Sequence, residues 1–114
     1  MITIKQLIEK TGWKAITNVP DVEITSGYVC DMLSWVMARA QFGTAWVTVQ
    51  AHVNVVAVAA LTGCACVIIP DSITLSDEML TAAREKDVCI ISVSCTSYGA
   101  AAALHDLGIG EVER

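Results

Sequence analysis

Three mainly apolar runs, at residues 45–50 (AWVTVQ), 64–69 (CACVII) and 88–93 (VCIISV), constrain this chain more than any other feature. Continuous Val, Ile and Cys runs of this length mark strands covered on both faces, because a strand with one wet face alternates apolar and polar residues. Between them lie helical patterns at residues 52–61 and 76–86, and a third follows at 97–107. Short connections that alternate strand with helix predict a parallel sheet with helices packed on both sides. Composition agrees: 54% of residues are hydrophobic and only 17% charged, an excess that also predicts burial of part of the exterior by a second copy.

The rest of the chain fits around that frame. Residues 2–11 carry Ile4, Leu7 and Ile8 at helical spacing, with Gly12 as the stop. A strand is expected at 13–18, a turn at Pro20-Asp21, and a second extended stretch at 22–25 ending on Ser26-Gly27. Leu33, Val36, Met37 and Ala40 share one face of a helix predicted over 28–40. Ser76 caps the fourth helix, with Asp77 and Glu78 complementing its dipole. The charged tail after Gly110 is expected to fray. The predicted fold is a single α/β domain over residues 1–114, a three-layer αβα sandwich around a mostly parallel sheet of about five strands.

Several function classes drop out early. A net charge of -5 with seven scattered basic residues offers no basic groove for nucleic acid. The most apolar stretch, 53–61, falls far short of the roughly 20 residues that span a bilayer. MITIKQLIEK has no apolar export core, so a cytoplasmic location is expected. There is no GxxxxGK[ST] phosphate loop, no GxGxxG and no GxSxG elbow, which disfavours a kinase, a dinucleotide dehydrogenase and an esterase.

Five cysteines in a reducing compartment are read as thiols. No CxxC is present and neither His52 nor His105 has a partner at ligand spacing, so neither a metal nor another cofactor is expected. Cys64 and Cys66 would share one strand face, and with Cys89 they read as small core hydrophobes. Cys95, ahead of a helix, is the candidate reactive thiol, with Cys30 behind it. His105 reads as a dipole partner at the end of the last helix.

In open α/β sheets, ligands bind beyond the carboxyl ends of the strands. Four loops meet that description: 25–27, 50–52, 70–72 and 94–97. The candidate ligand-binding residues are Ser26, Gly27, Tyr28, Asp31, Gln50, His52, Asn54 and Asp71. Helix starts favour anions, and His52 is the titratable group suited to neutral pH. The competing reading makes these residues caps and turn formers. Asp31 could orient a ligand, pair with His52, or stabilise the first turn of its helix. No set of catalytic residues accompanies them. Trp13, Trp35 and Trp46 are core or interface anchors, and Trp35, Arg39, Phe42 and Trp46 would suit a dimer surface.

The segments GYVCDMLSWVMARA, AWVTVQAHVNVVAVA, CVIIP and CIISV resemble the DRTGG domain family over residues 14–109. That family is similar to the N-terminal domain of HPr kinase/phosphorylase and occurs fused to phosphotransacetylases and, with CBS domains, to regulated pyrophosphatases. The five-letter motif that names it is not written out here, and Cys30 stands where the family pattern calls for Gly. The resemblance implies a regulatory or ligand-sensing homodimer that binds an anionic or nucleotide-like ligand or regulates a partner enzyme. Stand-alone relatives beside iron–sulfur proteins imply a hydrogenase-type redox partner. Two other classes stay open: a small hydrolase or transferase using His52 and Asp31, and a structural interaction protein of a redox complex.

Overall fold

The computed structural model describes residues 1–113. In chain order its elements are β1 (Ile2–Thr3), α1 (Ile4–Thr11), β2 (Lys14–Ala15), β3 (Glu23–Ile24), β4 (Ser26–Val29), α2 (Leu33–Arg39), β5 (Thr44–Val47), α3 (Val53–Thr62), β6 (Cys66–Ile69), α4 (Asp77–Glu85), β7 (Ile90–Ser92) and α5 (Ser97–Asp106). The main sheet runs β2-β7-β6-β5-β4. Strands β4 to β7 are parallel, and β2 closes one side antiparallel to β7.

The continuous apolar runs behave as expected. Along β5, β6 and β7, alternate residues feed two cores. Ala45, Val47, Cys66, Ile68 and Ile91 meet Ile4 and Leu7 of α1 and Leu104 of α5. Trp46, Val67, Ile69 and Ile90 meet Val36, Val55, Val56 and Met79 from α2, α3 and α4. Two helices cover one face and three the other, giving the αβα sandwich.

Helix ends follow local chemistry. Thr3 and Gln6 form a capping box on α1. Ser76 accepts from Met79 N to start α4, and Thr96 accepts from Gly99 N to start α5. Gly12 and Gly63 take left-handed C-cap positions after α1 and α3. Among the described residues no helix is long and apolar enough to cross a membrane.

Four expectations are corrected. Residues 26–29 are not the end of a loop and the start of a helix; they form β4, and α2 begins only at Leu33. Register against β5, with Tyr28 opposite Trp46, outweighs the helical spacing of the apolar residues. The stretch 22–25 does not join the main sheet but pairs β3 with β1 in a two-stranded ribbon. Cys64 and Cys66 do not share a face: Cys64 packs with the α3 side and Cys66 with the α1 side, because the turn after Gly63 ties Cys64 N to Ala59 O ahead of the strand. The tail does not fray at Gly110. Gly27 N donates to Gly110 O at 2.7 Å, Val112 N donates to Gly27 O at 3.2 Å, and Val112 is buried.

Gly43 links these layers at the start of β5. Its N–H donates to Gly63 O and its carbonyl accepts from Thr25 N. With φ at +87°, a Cβ there would lie 2.7 Å from Thr25 Oγ1 and 3.1 Å from Glu23 O. A Gly43→Ala variant combines left-handed strain with a backbone clash and should lose about 1–3 kcal/mol of stability. Urea denaturation checks this, and a wild-type midpoint would show that the turn relaxes freely.

Candidate functional site

At the carboxyl ends of β4 and β5 the chain crosses from Cys30 to Asp31 and is clamped onto the end of β5. Cys30 N donates to Val47 O, and the Trp46 indole N–H donates to Cys30 O at 2.8 Å. Asp31 Oδ1 accepts from the Thr48 hydroxyl at 2.8 Å and from Val49 N at 3.0 Å. The Gln50 side-chain amide donates to Asp31 O at 3.0 Å, while Gln50 N donates to Thr48 Oγ1 at 3.2 Å. Asp31 thus satisfies donors that β5 loses where its ladder stops. It does so from a loop, since Met32 is the N-cap of α2, so of the three roles open to it the one in a helical first turn gives way to a strand-to-strand tie.

His52 stands at the next junction with extended dihedrals, φ −134° and ψ 150°, as the N-cap of α3. Its Nδ1 accepts from Asn54 N at 3.1 Å. An imidazole that accepts at Nδ1 carries its proton on Nε2. Because His52 lies outside the helix, its spacing from Asn54 no longer follows helical periodicity. Gln50, His52 and Asn54 are all exposed. The carboxylate oxygen Oδ2 of Asp31, Oε1 of Gln50, Nε2 of His52 and the amide of Asn54 carry no partner among the described residues.

The other predicted residues do not converge there. Ser26 begins β4 at the opposite end of the sheet, its hydroxyl 2.9 Å from that of Thr44 in a buried pair. Gly27 and Tyr28 lie within β4 and line a cavity of about 340 Å³ against α5, bounded by Leu104, His105 and Ile109. Asp71 follows β6, where it and Ser72 adopt left-handed φ values of 59° and 50°. Asp71 N donates to Cys95 O and Ser72 N to Val93 O, so this loop is tied to the β7 side of the crest. The sequence reading missed Thr48, fully buried and central to the Asp31 network. Its only signal was a hydroxyl inside an apolar run, which a β-branched Thr disguises as strand propensity.

Burial pushes the thiols of the core upward: Cys66 well above its ordinary value, Cys64 above it, and Cys89 to about 11. They remain protonated, which makes them apolar packing groups. Trp46 is completely buried and belongs to the core, not to a dimer surface. Trp35 is 53% exposed, with the Arg39 guanidinium 4.9 Å above its ring. No group of three or more His, Cys, Asp or Glu among the described residues could hold a metal ion.

No protein-family model matches the chain, and no curated protein does. Among solved structures it is similar to the CBS and DRTGG domains of the regulatory region of a Clostridium perfringens pyrophosphatase, complexed with the activator diadenosine tetraphosphate. The two superpose with a TM-score of 0.69 at 13% identity, over 90% of this chain and 45% of the other. The fold is DRTGG-like. The chain spans less than half of that structure, and at this identity the likeness is one of architecture.

Removal of either partner in the Asp31–Thr48 bond leaves the Thr48 hydroxyl proton without its acceptor, or Asp31 Oδ1 with Val49 N alone, at the end of β5. Asp31→Ala and Thr48→Val should each destabilise by about 1–3 kcal/mol, with a double mutant clearly less destabilised than their sum. Additive losses in denaturant melts would show that the two side chains act independently.

Proposed function

We propose that this chain is a non-catalytic regulatory module that senses a small anionic or nucleotide-like ligand. The observation that carries the reading is the constitution of the crest. Asp31, Thr48 and Gln50 form a rigid tie, and His52 and Asn54 sit exposed beside it with hydrogen-bonding capacity left over. The hydroxyl held against the Asp31 carboxylate, that of Thr48, is fully buried and out of reach of a substrate. The exposed groups recognise a polar ligand without transforming it. The DRTGG-like architecture supports the same reading, since the similar structure is a regulatory region in complex with a nucleotide activator. The contact with ligand is assigned to Asp31, Gln50, His52 and Asn54. Asp71 lies on the same crest, and Ser26, Gly27 and Tyr28 contribute through the strand.

A hydrolase or transferase built on His52 and Asp31 is the weaker reading. Oδ1 of Asp31 and Nδ1 of His52 are both spent on backbone N–H groups, so a dyad through those atoms would dismantle the loop and the helix cap. In this proposal the module works in the cytoplasm as a homodimer and acts on a partner enzyme, with a redox complex as one setting.

Thermal shift against nucleotides, diadenosine tetraphosphate and phosphorylated metabolites tests the ligand. A ligand present at a hundredfold excess over Kd stabilises by roughly 2.7 kcal/mol, which in a domain of this size raises Tm by on the order of 10 °C. The shift should vanish in His52→Ala. No shift across the whole panel would sink ligand sensing.

The dimer is supported by apolar residues left exposed along α2 and its approach: Met32, Trp35 and Met37, with Phe42 beyond them. Light scattering on the wild type should give twice the chain mass, and Trp35→Glu should return one chain mass. A monomeric wild type at micromolar concentration would remove the dimer from the proposal.

A further inference from the structure

The open edge of β4 is occupied by the chain's own tail, and only in part. Residues 110–112 bracket Gly27 in parallel register, with Glu111 opposite it, and beyond them Glu113 O accepts from the Gln41 side-chain amide at 3.4 Å. Two backbone bonds hold them, Gly27 N to Gly110 O and Val112 N to Gly27 O. Two side chains anchor them, Ile109 and Val112, each 7% exposed. Strand periodicity turns the backbone groups of Val29 to the same side as those of Gly27, while Cys30 N turns inward to Val47 O. Among the described residues the tail makes no bond to the N–H or C=O of Val29, which lie at the edge, and Val29 itself is 46% exposed.

The fit around this strap is loose. A cavity of about 340 Å³ lies on its α5 side, lined by Leu104, His105, Ile109 and Glu111. A second of about 220 Å³ lies on its α2 side, lined by Trp35, Arg39, Glu111 and Val112. If the strap leaves, Glu111 leaves with it. Among the described residues, the ionisable groups then left lining the α2 and α5 walls are the Arg39 guanidinium, the His105 imidazole, the Tyr28 phenol and the Cys30 thiol, with no carboxylate.

We propose that residues 109–113 are a displaceable edge strand, and that the β4 edge beneath them receives an extended peptide of another protein with alternating apolar and acidic residues. The tail identifies the chemistry of its competitor, since its own Gly-Glu-Val-Glu sequence is what the edge already accepts. An incoming strand repeats the bonds to Gly27 and adds those to Val29, which is strand addition to a sheet edge. Its acidic side chains, in the place of Glu111, fall on the α5 side with His105, where a Cβ at Gly27 would also point, and its apolar ones replace Ile109 there and Val112 against Trp35 and the Arg39 stem. Binding is held back by the tail in cis, so release of the tail sets the affinity. This surface is separate from the crest of Asp31 and His52, and its test does not depend on ligand binding there.

The experiment uses the full chain with Val112→Asp, which undocks the tail, and a fluorescein-labelled peptide GIGEVE. Anisotropy titration should show binding to the variant at least tenfold tighter than to the wild type, with a GIGEDE peptide failing to bind. Equal affinity for both proteins, or no binding to the variant, overturns the proposal. Hydrogen exchange on the wild type decides the matter if the variant fails to fold. The Gly27 and Val112 amides should exchange at least a hundredfold faster than those of Trp46 and Val67. Exchange of all four at one rate would show that the strap opens only with the whole domain, and the proposal would fall.

Discussion

Burial of β5 and β6 on both faces is the constraint from which the rest of this structure follows. Ala45, Trp46, Val47 and every residue of β6 are without solvent contact. No water reaches their backbone, so each N–H and C=O must be paired within the ladder or by a side chain at its end. Flanking strands and helices on both faces follow from that requirement, and so does the location of polar chemistry. Polar groups gather where the ladders stop. Asp31 sits there because Thr48 and Val49 present donors that no further strand accepts.

How much of this was legible depended on whether the local pattern and the tertiary demand agreed. At β5, β6 and β7 they agreed, and the continuous apolar runs were unambiguous. At β4 they conflicted. Leu33, Val36, Met37 and Ala40 carry helical spacing, and nothing in Ser26-Gly27-Tyr28 stops that pattern from being read more than a turn too early. What makes 26–29 a strand lies elsewhere in the chain: the register of Tyr28 on Trp46, and the hydroxyl pair of Ser26 with Thr44. The same holds for the tail, whose Val112 is buried only because Gly27 leaves its backbone open at the edge. Cys64 shows a third case, in which a helix C-cap at Gly63 consumes the residue that strand periodicity would have placed beside Cys66.

The candidate site divides along the same line. Asp31, Gln50, His52 and Asn54 were placed together from helix-start chemistry, and they do occupy neighbouring junctions. Their bonds, however, are mostly made to the fold itself. Asp31 and Gln50 tie two strand ends, and His52 caps a helix, so capping and binding are not exclusive readings of these residues. A side chain held by one atom presents its remaining atoms in a fixed direction, which lowers the ordering cost of recognising a ligand. Thr48 was invisible from sequence because its contribution is made wholly below the surface.

The two sides of the sheet carry contrasting solutions to the same problem. On the β2 side the edge is blunted by an antiparallel strand of two residues, and the Thr17 hydroxyl completes the pairing by accepting from Ile90 N and donating to Val88 O. That hydroxyl is buried and fully used, so the edge is closed. On the β4 side, closure rests on two backbone bonds, the buried side chains of Ile109 and Val112 and the Gln41–Glu113 bond, with open space to either hand. Open edges invite pairing unless they are managed. A domain whose centre is rigid can change state only at its margins, where the free energy of local opening is small. In this molecule that margin is β4. Its carboxyl end feeds directly into the Asp31 loop, so a strand added at the edge and a ligand at the proposed crest site would bear on the same seven residues, 26–32.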